Sequence, residues 1–171
     1  EEVRNAAKTA LEKTDPQWQR NPEVRKAIPL FLKAMTSADP QVRERTKALL
    51  EKVFPKWRQS EIAHKAVPYF VKALGNTLNT VRCAAAETLG EMGSASAKAI
   101  PYLVKLSADS DKDARQAAKA ALEKIDSKWQ KSKPTAQAIP RFVRELSDAD
   151  WSIRNSAASA LGNMGAAAAR A

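Results

Sequence analysis

The 171-residue chain holds one histidine, His64, and one cysteine, Cys83. A zinc cluster, a disulfide framework or a cysteine–histidine nucleophile pair needs more such groups than two isolated ones. No Ser/His/Asp set and no glycine-rich phosphate loop occurs either, so neither acyl transfer nor nucleotide chemistry has its residues here. Nothing in the sequence asks for a metal or a cofactor. Cys83 has only Arg82 beside it to lower its pKa, which predicts an unreactive small surface residue. His64 has no visible partner, which predicts a surface histidine. The remaining chemistry is charge: 29 basic against 19 acidic side chains leave +10 with the histidine neutral. Such a balance can neutralise phosphates, or it can keep an apolar scaffold in solution.

What positions these residues is a repeat. An apolar residue followed by proline occurs at Ile28-Pro29, Val67-Pro68, Ile100-Pro101 and Ile139-Pro140, at intervals of 39, 33 and 39. An apolar residue followed by arginine follows 14 residues later each time, at Val42-Arg43, Val81-Arg82, Ala114-Arg115 and Ile153-Arg154. Val3-Arg4 adds an earlier copy. The stretch from arginine to the next marker proline is 25 residues long except once, from Arg82 to Pro101, where it is 19. Long linkers carry a tryptophan, Trp18, Trp57 or Trp129, which the spacing predicts to fill a gap. The short one instead carries Gly90-Glu91-Met92-Gly93, repeated 72 residues later as Gly162-Asn163-Met164-Gly165.

Each unit reads as two helices. Ile28, Phe31, Leu32 and Met35 share one face of the first, and Val42, Leu49, Leu50 and Val53 one face of the second. Asn21-Pro22 and Asp39-Pro40 place a capping side chain before a proline suited to the first helical turn. Pro29 and its equivalents are expected inside the first helix, kinking it. The second helices are rich in alanine, which lets neighbours approach closely but buries little area, so stability must come from stacking unit on unit. No apolar run nears the roughly 18 residues of a membrane span.

With its kinking proline, an Asn or Asp eight residues on at Asn76, Asp109 and Asp148, and the apolar-arginine pair, the chain resembles HEAT repeats over nearly its whole length. In repeat style it is similar to the short bacterial-type, phycobilisome-lyase-like members. The resemblance implies an all-α superhelix, an α-solenoid of about four to five stacked helix-turn-helix units, truncated at both ends. It would form one domain, 1–171, with a partial unit at 1–20 and units near 21–59, 60–93, 94–131 and 132–171. It also implies an inter-repeat ladder of Asp109, Asp148, Arg43, Arg82, Arg115 and Arg154, with Ser37 departing from the pattern in the first full unit. Terminal helices with uncovered apolar faces would allow end-to-end self-association.

A 100° step per residue sorts the outward positions. First helices present Lys26, Lys33, Lys65, Lys72, Lys98, Lys105 and Arg144, with Leu30, Tyr69, Tyr102 and Arg141 between them. Second helices present a neutral to acidic face that includes Glu44, Cys83, Glu87, Gly90, Gln116, Asn155 and Gly162. The resemblance places that second face on the concave side. It implies a non-catalytic scaffold that binds a protein partner through Gln41, Glu44, Thr80, Glu87, Asp113, Gln116, Trp151, Ser152 and Asn155. Trp151 has no tryptophan counterpart in other units and is read as a partner anchor. The alternative partner is nucleic acid on the basic columns; a second alternative is the non-catalytic part of a larger enzyme. Catalytic families of this architecture offer little support: the iron-dependent hydroxylases need several His-Glu ligands, and the DNA glycosylases need a basic cleft.

Overall fold

The computed structural model of the chain describes residues 22–170. The partial unit expected at 1–20, including Val3, Arg4 and Trp18, and the cap expected of Asn21 lie outside them. Eight α-helices alternate along the described chain. The first helices of successive pairs are α1 (Pro22–Ala34), α3 (Glu61–Ala73), α5 (Ile100–Leu106) and α7 (Lys133–Glu145); the second helices are α2 (Pro40–Val53), α4 (Asn79–Glu91), α6 (Lys112–Ile125) and α8 (Trp151–Met164). Each first helix packs on its own second helix, and α1 with α3, α4 with α6 and α5 with α7 pack between pairs. This is an all-α stack of helix-turn-helix units, as the periodicity predicts.

Helix starts are fixed by short polar side chains that satisfy first-turn N–H groups. Asp39 accepts from the Gln41 amide at 2.8 Å, Ser60 from Ala63 at 3.1 Å, Asp111 from Ala114 at 2.9 Å and Asp150 from Ser152 at 2.7 Å. Pro29, Pro68 and Pro140 lie inside α1, α3 and α7. Pro101 does not: it occupies the first turn of α5, where a missing amide donor costs nothing. The short linker accounts for the difference. Gly93, at φ +57, turns the chain directly into a 3-10 stretch, Gly93–Ala99, so no α-helical turn precedes the proline. Ser96 anchors that stretch, its buried hydroxyl lying 2.6 Å from the Leu89 carbonyl and 2.7 Å from that of Gly93.

One continuous apolar cluster runs through the stack. Equivalent positions recur in it, with Leu50, Leu89 and Leu122 of the second helices fully buried, as are Phe70, Leu103 and Phe142 of the first. Trp57 and Trp129 are buried at the starts of 3-10 turns in the long linkers. Their indole N–H groups donate to Glu51 and Glu123, each six residues earlier, at 3.4 and 3.1 Å. Val42 and Leu49, expected in the core, are instead 39% and 40% exposed. Leu49 lines a hollow with Phe31, Arg45 and Lys52 in this first described pair.

Candidate functional site

Small residues on the second helices set how closely they stack. Ala84, Ala85 and Ala86 of α4 and Ala114, Ala118 and Ala121 of α6 are buried. Gly90 marks the closest approach, because a Cβ there would lie 2.9 Å from the Cα of Ala121. Gly90, placed by helical spacing on the outward column, is therefore buried against α6. Gly162, its counterpart 72 residues later, is exposed, and a Cβ there would meet open space.

The second-helix candidates are solvent-exposed: Gln41 and Glu44 on α2, Thr80 and Glu87 on α4, Asp113 and Gln116 on α6, and Trp151, Ser152 and Asn155 on α8. Trp151 is 68% exposed at the first turn of its helix, directly after the Asp150 cap. Cys83, read as an outward residue, is half-buried and packs against the core. Burial, followed by the nearby carboxylates of Asp111, Glu87 and Asp113, pushes its thiol pKa up and holds it protonated.

The arginines that follow the apolar marker act mainly within their own units. Arg43 donates to the Ser37 carbonyl, Arg82 to Asn76, Arg115 to Asp109 and Arg154 to Asp148, at 2.8 to 2.9 Å. Each also reaches the next carbonyl along, so one guanidinium clamps the turn joining first and second helices. Of the ladder implied by the resemblance, one inter-unit rung forms among the described residues: Arg82 to Asp109, at 2.8 Å and largely buried. Asp148 accepts from the Asp150 amide, as Asp109 does from that of Asp111, while Arg43, Arg115 and Arg154 stay on their own turns. Asn76 likewise accepts from the Leu78 amide.

Two positions of the first-helix columns depart from the expectation: Lys98 lies in the 3-10 stretch before α5, and Lys105 is not fully exposed. Lys26, Lys33, Lys65, Lys72, Lys98 and Arg144 are exposed, and Lys105 is half-buried with its ammonium 3.8 Å from Glu145. Lys65 pairs with Glu61 one turn earlier at 2.9 Å. The interleaved aromatics are tethered. The Tyr69 hydroxyl lies 3.2 Å from the Thr36 hydroxyl, and the Arg141 guanidinium sits 5.9 Å over the Tyr102 ring. His64 is exposed, and its Nδ1–H donates to the Ser60 carbonyl at 2.8 Å.

Sequence reasoning missed an inter-unit polar cluster in which Lys47 of α2 and Arg58 of the first described linker converge on Glu91 of α4, with Arg58 also held by Glu51. The Arg58 guanidinium lies 4.9 Å over the Trp57 ring and holds the Glu51 carboxyl below its usual range. The available signal was the repeated Glu-to-Trp spacing of six. It also missed Asn163, whose amide donates to the Ser107 hydroxyl at 2.9 Å and so ties α8 to the end of α5. Among the described residues no group of three or more His, Cys, Asp or Glu side chains could hold a metal. No helix among them is long and apolar enough to cross a membrane.

These features define an α-solenoid whose side chains build faces. The family profile described as HEAT repeats matches residues 28–123, more than half the sequence, and the chain belongs to that family. A crystal structure of an engineered protein is similar at 24% identity and a TM-score of 0.48, covering 81% of this chain. The chain spans 62% of that protein's length. No curated protein matches it. Family membership and the all-helical stack together show a fold of stacked HEAT repeats.

Proposed function

We propose that residues 1–171 act as one scaffold domain, in units near 21–59, 60–93, 94–131 and 132–171 after a partial first unit, and that the second-helix face binds its protein partner. The observation that carries this reading is that nine polar or aromatic side chains, from Gln41 to Asn155, lie exposed on four successive second helices. The close α4–α6 contact at Gly90 gives that surface a rigid centre, so binding orders little of the scaffold. Trp151 supplies a large aromatic anchor at one end, in the class of side chain that dominates interface energetics. The arginine clamps, in this reading, are structural.

The test is selection of a displayed peptide or domain library on the wild type, followed by measurement of each selected binder on a Glu87→Arg, Gln116→Arg, Trp151→Ala variant. Binders should lose about tenfold or more in affinity. Selected binders indifferent to the variant would place the interface elsewhere.

A further element of the proposal is self-association at the last described unit. Val104 of α5 and Ser107 just after it are buried where α5 meets α7 and α8, whereas their equivalents, Val143 of α7 and Leu146 just after it, are 44% and 39% exposed. A second copy meeting this face would bury both. Nucleic acid on the basic columns is the competing reading. The guanidinium of Arg141 over the Tyr102 ring counts against it at that position, since a base needs an open ring face to stack on.

A further inference from the structure

The first-helix face contains two apolar grooves that the second-helix proposal leaves unused. One, of about 500 Å³, runs between α1 and α3, with Pro29, Leu30, Ile62 and Ala66 as its apolar lining and Lys33 and Lys65 at its rim. The other, of about 490 Å³, runs between α3 and the segment leading into α5; Val67, Pro68, Val71 and Ala95 line it, beside Lys98 and His64. The two are copies of one feature. Pro29 and Pro68, Leu30 and Tyr69, Ile62 and Ala95, and Lys65 and Lys98 occupy equivalent places in successive units. Tyr69 closes the first groove and Tyr102 the second. At the next junction an arginine, Arg141, takes the tyrosine position and covers Tyr102 from the far side.

We propose that these grooves form a second docking site, and that its ligand is an extended acidic segment of another protein carrying an apolar side chain at every third residue. The charge follows from the rims: three lysines and no acidic side chain line the two grooves. The apolar anchors follow from the lining, which a phosphate or sugar would leave dry and unpaired but an aliphatic side chain would fill. The spacing follows from helix packing. Adjacent helix axes lie about 8–10 Å apart, so the grooves recur at about that distance, which a chain extended in the polyproline II conformation covers in one turn of about three residues, with every third side chain on the same face. Tyr69, fixed by Thr36 and set edge-on to Phe70 at 5.7 Å and 75°, serves as a wall of the first groove.

Fluorescence anisotropy with three probes tests this: a labelled peptide of four Leu-Asp-Asp repeats, the same peptide with serine replacing leucine, and a single-stranded oligonucleotide of matched charge. The proteins are the wild type, a Lys33→Glu, Lys65→Glu, Lys98→Glu variant, and a Leu30→Ser, Tyr102→Ser variant. Every substituted position is exposed, and melting curves verify folding. On the wild type the leucine peptide should bind about tenfold more tightly than the serine peptide, and each variant should remove about tenfold of that affinity. A Glu87→Arg control on the other face should leave it unchanged, which separates this site from the second-helix surface. Equal binding of the two peptides, or no binding of the leucine peptide to the wild type, overturns the proposal. So does tighter binding of the oligonucleotide that ignores the Leu30, Tyr102 variant, which would make the lysines a phosphate surface.

Discussion

Two glycines at equivalent places in the repeat carry opposite instructions. In a helix interior, glycine to alanine stabilises by about 0.5–1 kcal/mol through backbone entropy alone. Gly162→Ala should show that gain, because a Cβ there meets open space. Gly90→Ala should instead destabilise by about 1–3 kcal/mol, since its Cβ would collide with the Ala121 backbone and force α4 from α6. Urea denaturation of the two variants checks the pair; a gain at both positions would mean that the helices are not in contact there. Cys83 offers a second residue-level check. Its thiol is held protonated by burial and by Asp111, Glu87 and Asp113, so alkylation of the folded protein should be slower than in urea. The folded rate should still be climbing with pH where the unfolded rate has levelled off.

At the scale of the element, the recurring leucines decide stability. Leu89 of α4 and Leu122 of α6 are fully exposed to the core and not to water, and truncation of either to alanine should cost about 2–5 kcal/mol. An unchanged melting temperature for both would place the register one face out. These positions were legible because a 100° step fixes which side of an amphipathic helix turns inward, and the lysine columns were legible for the same reason. Gly90 and Cys83 were misplaced because that step sorts one helix in isolation. It cannot see that α6 closes over the flank of α4 wherever both carry small side chains. Pro101 was misplaced because the shared marker hides a local change: a six-residue deletion and Gly93 move the helix start to the proline itself. The ladder, taken from a family resemblance, reduced to one rung: all four arginines clamp two backbone carbonyls of their own turn, Arg82 alone also reaches a carboxylate, Asp109, and the position facing Arg43 is Asn76, which carries no charge.

The whole molecule is held by contacts within units and between them, and one of each kind can be weakened. Glu51 has its carboxyl pKa lowered below the usual 4.5, chiefly by its hydrogen bond with Arg58. A lowered folded pKa contributes stability that is present above the unfolded value and is lost as pH falls through the folded one. The stability difference between wild type and Glu51→Gln should therefore hold from pH 7 to about 5 and vanish in more acidic solution; because both side chains are partly exposed, it should be only about 0.2–1 kcal/mol. The other kind, between units, extends to association. A solenoid buries each unit's flank under the next, and Val143 and Leu146 reach the surface where Val104 and Ser107 do not. If a second copy covers that flank, light scattering should show mass rising with concentration for the wild type, and a Val143→Glu, Leu146→Glu variant should stay monomeric with its helical content unchanged. The substitutions put charge into the contact without touching the buried core, so loss of association would report on the surface itself. A wild type that remains monomeric at millimolar concentration would show that this flank is tolerated in water as it stands.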